Sequence, residues 1–173
     1  LAMGRRRCRI VARLPSGDRL PVLARATPQA LTLRGRRYNA AMQIGPYRID
    51  PPVMLAPMAG MSDLPYREIC RAHGAGYAVG EMTTCQPQFR TSRKSATRWA
   101  CDAELGLRVV QLLGADPAMM ADAARYAEDS GAQVVDINMG CPAKKVLQTA
   151  CGSALMKDEA LVARILEAVC AAV

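Results

Sequence analysis

The chain has 173 residues, 51% of them hydrophobic and 22% charged, with a formal net charge of +8. That apolar fraction excludes a mostly disordered chain, and no uninterrupted apolar run approaches the ~18 residues of a membrane-spanning helix. The positive balance admits a nucleic-acid partner, since clustered Lys and Arg gain affinity by releasing phosphate counterions, but only the location of the charge gives it meaning.

Residues 1–41 hold ten Arg (5, 6, 7, 9, 13, 19, 25, 34, 36 and 37) against one acid, Asp18, which places +9 there and leaves −1 on residues 42–173. The segment mixes Arg, Pro and Gly with short apolar patches and keeps no helical or alternating period. Its Arg-rich, acid-poor composition suits a transit peptide or an RNA-binding arm. The chain begins with Leu, and Met42 opens a segment of different composition. The favoured expectation is therefore a disordered leader or upstream sequence read through in frame. Seven Cys (8, 70, 85, 101, 141, 151 and 170), none at CxxC spacing, and a single His, His73, point to a reducing compartment without a structural zinc site. With no signal peptide pattern either, the cytoplasm is the expected location and no membrane partner is expected.

From residue 42 onward apolar runs alternate with amphipathic stretches. Val53–Ala56 reads as a buried strand and Asp63–His73 as a helix capped by Asp63, ended by Gly74 and Gly76. Residues 77–82 read as a second strand, followed by a long polar connection, expected to be partly helical, that carries Arg90, Arg93, Lys94 and Arg98. Leu107–Leu113 is the third strand. Asp116–Asp129 is the clearest helix, with Asp116 as cap and Pro117 in its first turn. Gln133–Asn138 is a fourth strand, and Asp158 to about Val173 a fourth helix. Strands alternating with helices imply an α/β architecture with parallel pairing and right-handed crossovers. Periodicity does not choose between a flavodoxin-like or Rossmann sheet and a (β/α)8 barrel. A Rossmann domain carries GxGxxG after its first strand, whereas this chain has Ala56-Pro-Met-Ala-Gly60 there. In a barrel, catalytic groups lie at the carboxyl ends of strands, which is where Glu81, Gln111, Asn138 and Cys141 fall.

The segment Asp136-Ile-Asn-Met-Gly-Cys-Pro-Ala-Lys-Lys-Val146 is the most informative. A Cys between Gly and Pro just past a buried strand sits on a tight loop, where a thiol can donate a proton or act as a nucleophile; the alternative is a small apolar loop anchor. Together with APMAGMSDLPYR at 56–67, Gly80-Glu-Met82, Val110-Gln-Leu-Leu-Gly114 and Gly152-Ser-Ala-Leu155, it resembles the tRNA-dihydrouridine synthases, closest to the bacterial B-type subgroup. The likeness runs from about Met42 to the end of the chain with the motifs in order.

The resemblance implies a monomeric flavoenzyme on a (β/α)8 barrel, of which residues 42–173 would supply about the first four βα units. It would reduce the C5–C6 double bond of uridines in tRNA, with FMN as cofactor, NADPH as reductant and no metal. By that likeness Pro57, Met58 and Ala59 lie against the flavin and Gln111 hydrogen-bonds its ring. Asn138 contacts the base, and Cys141 is the general acid that protonates C5 as hydride reaches C6. A thiol suits that step because it is protonated at neutral pH and needs no companion base.

Blander roles stand beside these. Gln111 could satisfy a strand-end backbone group, although a buried amide costs free energy unless paired. Glu81 is similar, Asp63 reads as a cap, Asp136 as a buried structural partner and His73 as a helix-end residue. Lys144, Lys145 and the basic cluster at 90–98 suit either RNA phosphates or solvent. Cys151 stands where the family pattern has a small residue, which places a second thiol near Cys141. The family's later strands and helical tRNA-binding domain are not represented, so this chain alone is expected to be unstable and to bind FMN poorly. Another FMN barrel that reduces a C=C bond, such as a dihydroorotate dehydrogenase, and a non-catalytic RNA-binding fragment are the competing readings.

Overall fold

A computed structural model describes residues 9–12, 32–33, 36–37, 42–99 and 106–173. In chain order its elements are β1 (Arg9–Ala12), β2 (Thr32–Leu33), β3 (Arg36–Arg37), β4 (Met42–Ile44), β5 (Tyr47–Ile49), β6 (Met54–Leu55), α1 (Leu64–Ala72), β7 (Tyr77–Ala78), β8 (Thr83–Thr84), α2 (Arg93–Trp99), β9 (Val109–Leu113), α3 (Pro117–Asp129), β10 (Val134–Ile137), α4 (Lys144–Leu147) and α5 (Glu159–Ala172). Strands β1, β10, β9 and β8 form one sheet in that order, parallel throughout, and β6 pairs in parallel with β7. The four strands of the larger sheet therefore send their carboxyl ends toward one side, and β6 and β7 share a direction with each other. Among the described residues they form no closed barrel, and the architecture is mixed α/β.

The helices begin where short acceptors meet orphan backbone donors. Asp63 accepts from Tyr66 N at 3.1 Å, Asp116 from Met119 N at 2.8 Å and Asp158 from Leu161 N at 2.9 Å. Gly131, at φ 92°, lets the chain leave α3 in a left-handed turn that a Cβ would strain.

The central sheet is buried on both faces. On one, Val110, Leu112, Val135 and Ile137 pack with Met120, Ala123, Ala124 and Ala127 of α3 and with Ile165 and Val169 of α5. Alanines on α3 let α5 lie close. On the other face Val109 and Val134 join Tyr77, Val79 and Ile49, closed over by Met42, Ile44 and Tyr47 of the antiparallel hairpin β4–β5. Two residues further along each strand, on that same face, stand Gln111 and Asp136, opposite one another in the register.

Several details differ from the sequence expectations. The strand expected at 77–82 is interrupted after Ala78: Tyr77–Ala78 pairs with β6, and pairing with β9 begins only at Thr83–Thr84. The hairpin β4–β5 precedes the first expected strand, whereas the polar connection is partly helical, through α2, as its sequence leads one to expect. Most of the leader expected over 1–41 lies outside the described residues. Within it Arg9–Ala12 runs parallel to β10, Arg9 opposite Val134 and Ala12 opposite Ile137.

Candidate active site

Strand β10 delivers Asp136 and then, one residue beyond its end, Asn138. Gln111 is 2% exposed, Asp136 0% and Asn138 9%, so three hydrogen-bonding side chains share an otherwise apolar interior and each must find partners there. Gln111 Nε2 donates to Asp136 Oδ2 at 2.5 Å, and Asn138 Nδ2 donates to Gln111 Oε1 at 3.0 Å. Asn138 Oδ1 in turn accepts from the backbone N–H groups of Gly140, at 3.2 Å, and Cys141, at 3.0 Å. This local side-chain-to-backbone turn bends the chain directly after the strand and sets the position of Cys141.

Cys141 is held from its other side as well. Its carbonyl accepts from Ser153 N at 3.1 Å and Ser153 Oγ at 3.2 Å. Gly152, at φ 63°, lies so close that a Cβ there would stand 2.6 Å from Cys141 O and 2.8 Å from Val146 Cγ1. The half-buried Cys141 thus sits between two anchors. Gly140 beside it is exposed, and a Cβ there would meet nothing within 4 Å, so the loop faces open space.

Pro57, Met58 and Ala59 follow the carboxyl end of β6 and belong to a separately pinned loop. Met58 N donates to Ser62 Oγ at 2.9 Å, and Met58 O accepts from Ser62 N at 2.9 Å and Met61 N at 3.1 Å. Arg67, on α1 and 7% exposed, donates from Nη1 to Ser62 O at 2.8 Å. Pro57 and Met58 are half-buried and Ala59 is exposed. Ser62, Arg67, Gly152 and Ser153 were not singled out from the sequence. Their sequence signal is membership in the stretches 56–67 and 152–155, and only the fold shows what each touches.

The basic cluster divides. Arg90 pairs with Asp122 at 2.6 Å and lies over the Tyr126 ring, 4.9 Å from its centroid; Arg98 pairs with Glu81 at 2.5 Å and reaches Met82 O at 3.3 Å. Both are used within the protein, whereas Arg93 is exposed. Glu81 is thereby a partner of Arg98, Asp63 is a cap, and His73 ends α1 on the surface. Lys144 and Lys145 open α4, exposed, immediately after the Cys141 loop.

Among the described residues Cys70, Cys85, Cys141, Cys151 and Cys170 are free thiols. Cys151 is buried and its Sγ donates to Thr149 O at 3.2 Å. The Cys85 thiol is pushed up to about 11, first by burial and then by the nearby Cys151 and Asp116; its own backbone hydrogen bond and Arg90 oppose this. A folded-state value above the unfolded one stabilises the fold fully below about pH 9, and that contribution is lost as pH rises toward 11. Iodoacetamide at about pH 8.5 is expected to label Cys141 and Cys170 while sparing Cys85. Mass mapping of the labelled peptides checks this, and labelling of Cys85 as fast as Cys170 would contradict the burial assigned to it.

Among the described residues no three or more His, Cys, Asp or Glu gather as a metal site, and no helix is long and apolar enough to cross a membrane.

Parallel strands, intervening helices and a thiol loop anchored where the strands end define an α/β protein with a candidate site at the strand ends. A family model described as dihydrouridine synthase (Dus) matches residues 54–173, and the chain belongs to that family. It is 57% identical over 132 residues to tRNA-dihydrouridine synthase B of Xanthomonas campestris pv. campestris, covering 76% of this chain and 40% of that protein. To the proteins of the same name from Pseudomonas aeruginosa and Vibrio vulnificus it is 53% identical over 134 residues and 48% over 132. Those matches cover 78% and 76% of this chain, and 40% and 41% of the relatives. The chain thus spans about two fifths of the length of the curated relatives it matches.

Proposed function

We propose that this chain supplies the first four βα units of a (β/α)8 barrel in an FMN-dependent tRNA-dihydrouridine synthase, a monomeric cytoplasmic enzyme that uses NADPH to reduce uridine. The units are β6–α1, β7/β8–α2, β9–α3 and β10–α5. The observation that carries the reading is the anchoring of Cys141 through both its N–H and its carbonyl, which holds the thiol-bearing loop beside open space at Gly140. The names of the relatives supply the reaction class.

The donor set fits a flavin. A flat ring edged with carbonyls and ring nitrogens needs an apolar wall and an amide at its rim. Pro57, Met58 and Ala59 provide the wall, and Gln111 retains a second Nε2 hydrogen beyond the one given to Asp136. When bound, FMN supplies the hydride that goes to C6 of the uracil. Cys141 Sγ–H donates the proton to C5, leaving a thiolate that solvent reprotonates. Asn138 orients the base through its second Nδ2 hydrogen, which meets the weak acceptor Met82 Sδ at 3.8 Å. Lys144 and Lys145 stand beside the loop as contacts for RNA phosphate.

The test is a chain completed to the relatives' length and given FMN, NADPH and unmodified tRNA. Dihydrouridine in the digested tRNA is expected. Reduction of orotate or enoate substrates with none of tRNA would select the other flavin reductases.

A further inference from the structure

The hydrogen-bond chain from Asp136 to Cys141 runs in one direction. Gln and Asn side chains are nearly symmetric in shape, and either end of each amide fits the same space with donor and acceptor exchanged. What fixes them is the chemistry at the two termini. A carboxylate accepts and does not donate, so Gln111 must turn Nε2 toward Asp136 Oδ2. Its Oε1 then faces Asn138, which answers with Nδ2 and leaves Oδ1 for the N–H groups of Gly140 and Cys141. Those N–H groups can only donate, so both ends of the chain demand the same orientation of the two amides between them.

We propose that Asp136 is a positioning residue whose carboxylate, acting through Gln111 and Asn138, sets the direction of these bonds and so fixes the Cys141 loop. The same orientation determines which hydrogens Gln111 and Asn138 retain for a ligand. Its catalytic consequence rests on the reading of Cys141 given above, whereas its structural consequence does not. Asp136 is completely buried in a strand whose other residues are apolar, where Val would serve packing better; a buried carboxylate is kept for what it holds.

The test moves the charge along the chain of bonds. In Asp136→Asn residue 136 can present either its amide oxygen or its amide nitrogen to Gln111, so one of the two constraints on direction is lost and only the N–H groups of Gly140 and Cys141 still hold it. In Gln111→Glu two carboxylates stand against each other. In the double variant Gln111→Glu/Asp136→Asn, residue 136 donates to residue 111, residue 111 accepts from Asn138, and Asn138 keeps Oδ1 on the loop. Amide hydrogen exchange is read residue by residue in a chain completed to the relatives' length. Each single variant is expected to speed exchange at Gly140 and Cys141 about tenfold relative to amides of β9 and β10, and the double variant to bring it back to within about twofold of the parent. This readout involves no uridine reduction, so a failure of the proposed activity leaves it intact. Unchanged exchange at Gly140 and Cys141 in Asp136→Asn overturns the proposal, as does a double variant no better than the singles or unable to fold. Folding of the double variant where a single does not fold supports it.

Discussion

Cys141→Ala in a chain completed to the relatives' length is expected to lower the rate of uridine reduction by about 10²–10⁴-fold, the range a positioned general acid contributes. Alanine removes the proposed proton donor and leaves its surroundings intact. The anchors on residue 141 are bonds to its backbone, from its N–H to Asn138 and to its carbonyl from Ser153, and neither needs the thiol. Binding of tRNA and reduction of FMN by NADPH are therefore expected to stay within about twofold of the parent, because only an interaction made in the transition state has been removed. Single-turnover assay of pre-reduced enzyme separates these steps. Dihydrouridine formed at the parent rate would remove Cys141 from the chemistry.

Gly152→Ala is expected to damage the same site without touching the thiol. At φ 63° the alanine backbone is in a left-handed conformation that costs ~1–2 kcal/mol. The new Cβ would stand 2.6 Å from the Cys141 carbonyl and 2.8 Å from Val146 Cγ1. The first of these is a backbone atom already held by Ser153, so the loop carrying Cys141 must move. Displacement of a reacting group by ~1 Å is worth about 10²-fold in rate. We expect a loss of ~2–3 kcal/mol in unfolding free energy and about a hundredfold fall in kcat, with FMN still bound. Urea unfolding and turnover measured on the same preparation check the pair. A kcat within about twofold of the parent would show that the contact between Gly152 and Cys141 does not position the thiol.

What was legible in the sequence was local. Asp116 followed by Pro117 and a face of small apolar residues announces α3 because a cap, a fixed φ and a helical period coincide within a few residues. Val134–Ile137 announces itself as a doubly buried strand by its apolar character. The hairpin β4–β5 escaped because strands of three residues hold too few positions for a period to show, although Gly45 and Pro46 mark its turn. The interruption after Ala78 escaped because an apolar run reads as continuous whether or not its backbone is paired throughout.

The site divides in the same way. Asn138 and Cys141 are three residues apart, and the turn joining them lies within one quoted string. The pairing of Gln111 with Asp136 depends on the register between β9 and β10, which no local pattern contains. From the sequence Asp136 reads as a buried structural partner, and only the register identifies Gln111 as the residue it meets. Gly152 and Ser153 act on Cys141 only because α4 turns the chain back, so their role appears only in three dimensions. Arg90 and Arg98 show the converse. A cluster of like charge in sequence separates in the fold into two ion pairs with acids that are 32 and 17 residues away.

Whether the Cys141 thiol protonates C5 of a tRNA uridine, as proposed, is decided by the origin of that hydrogen. A thiol proton exchanges with solvent. The completed chain is supplied with FMN, protiated NADPH and unmodified tRNA in deuterated water, and the dihydrouridine is analysed by NMR. The expected result is deuterium at C5 in the parent enzyme, with loss of product in Cys141→Ala. Dihydrouridine that carries no solvent deuterium at C5, or that forms equally well without the thiol, would contradict it.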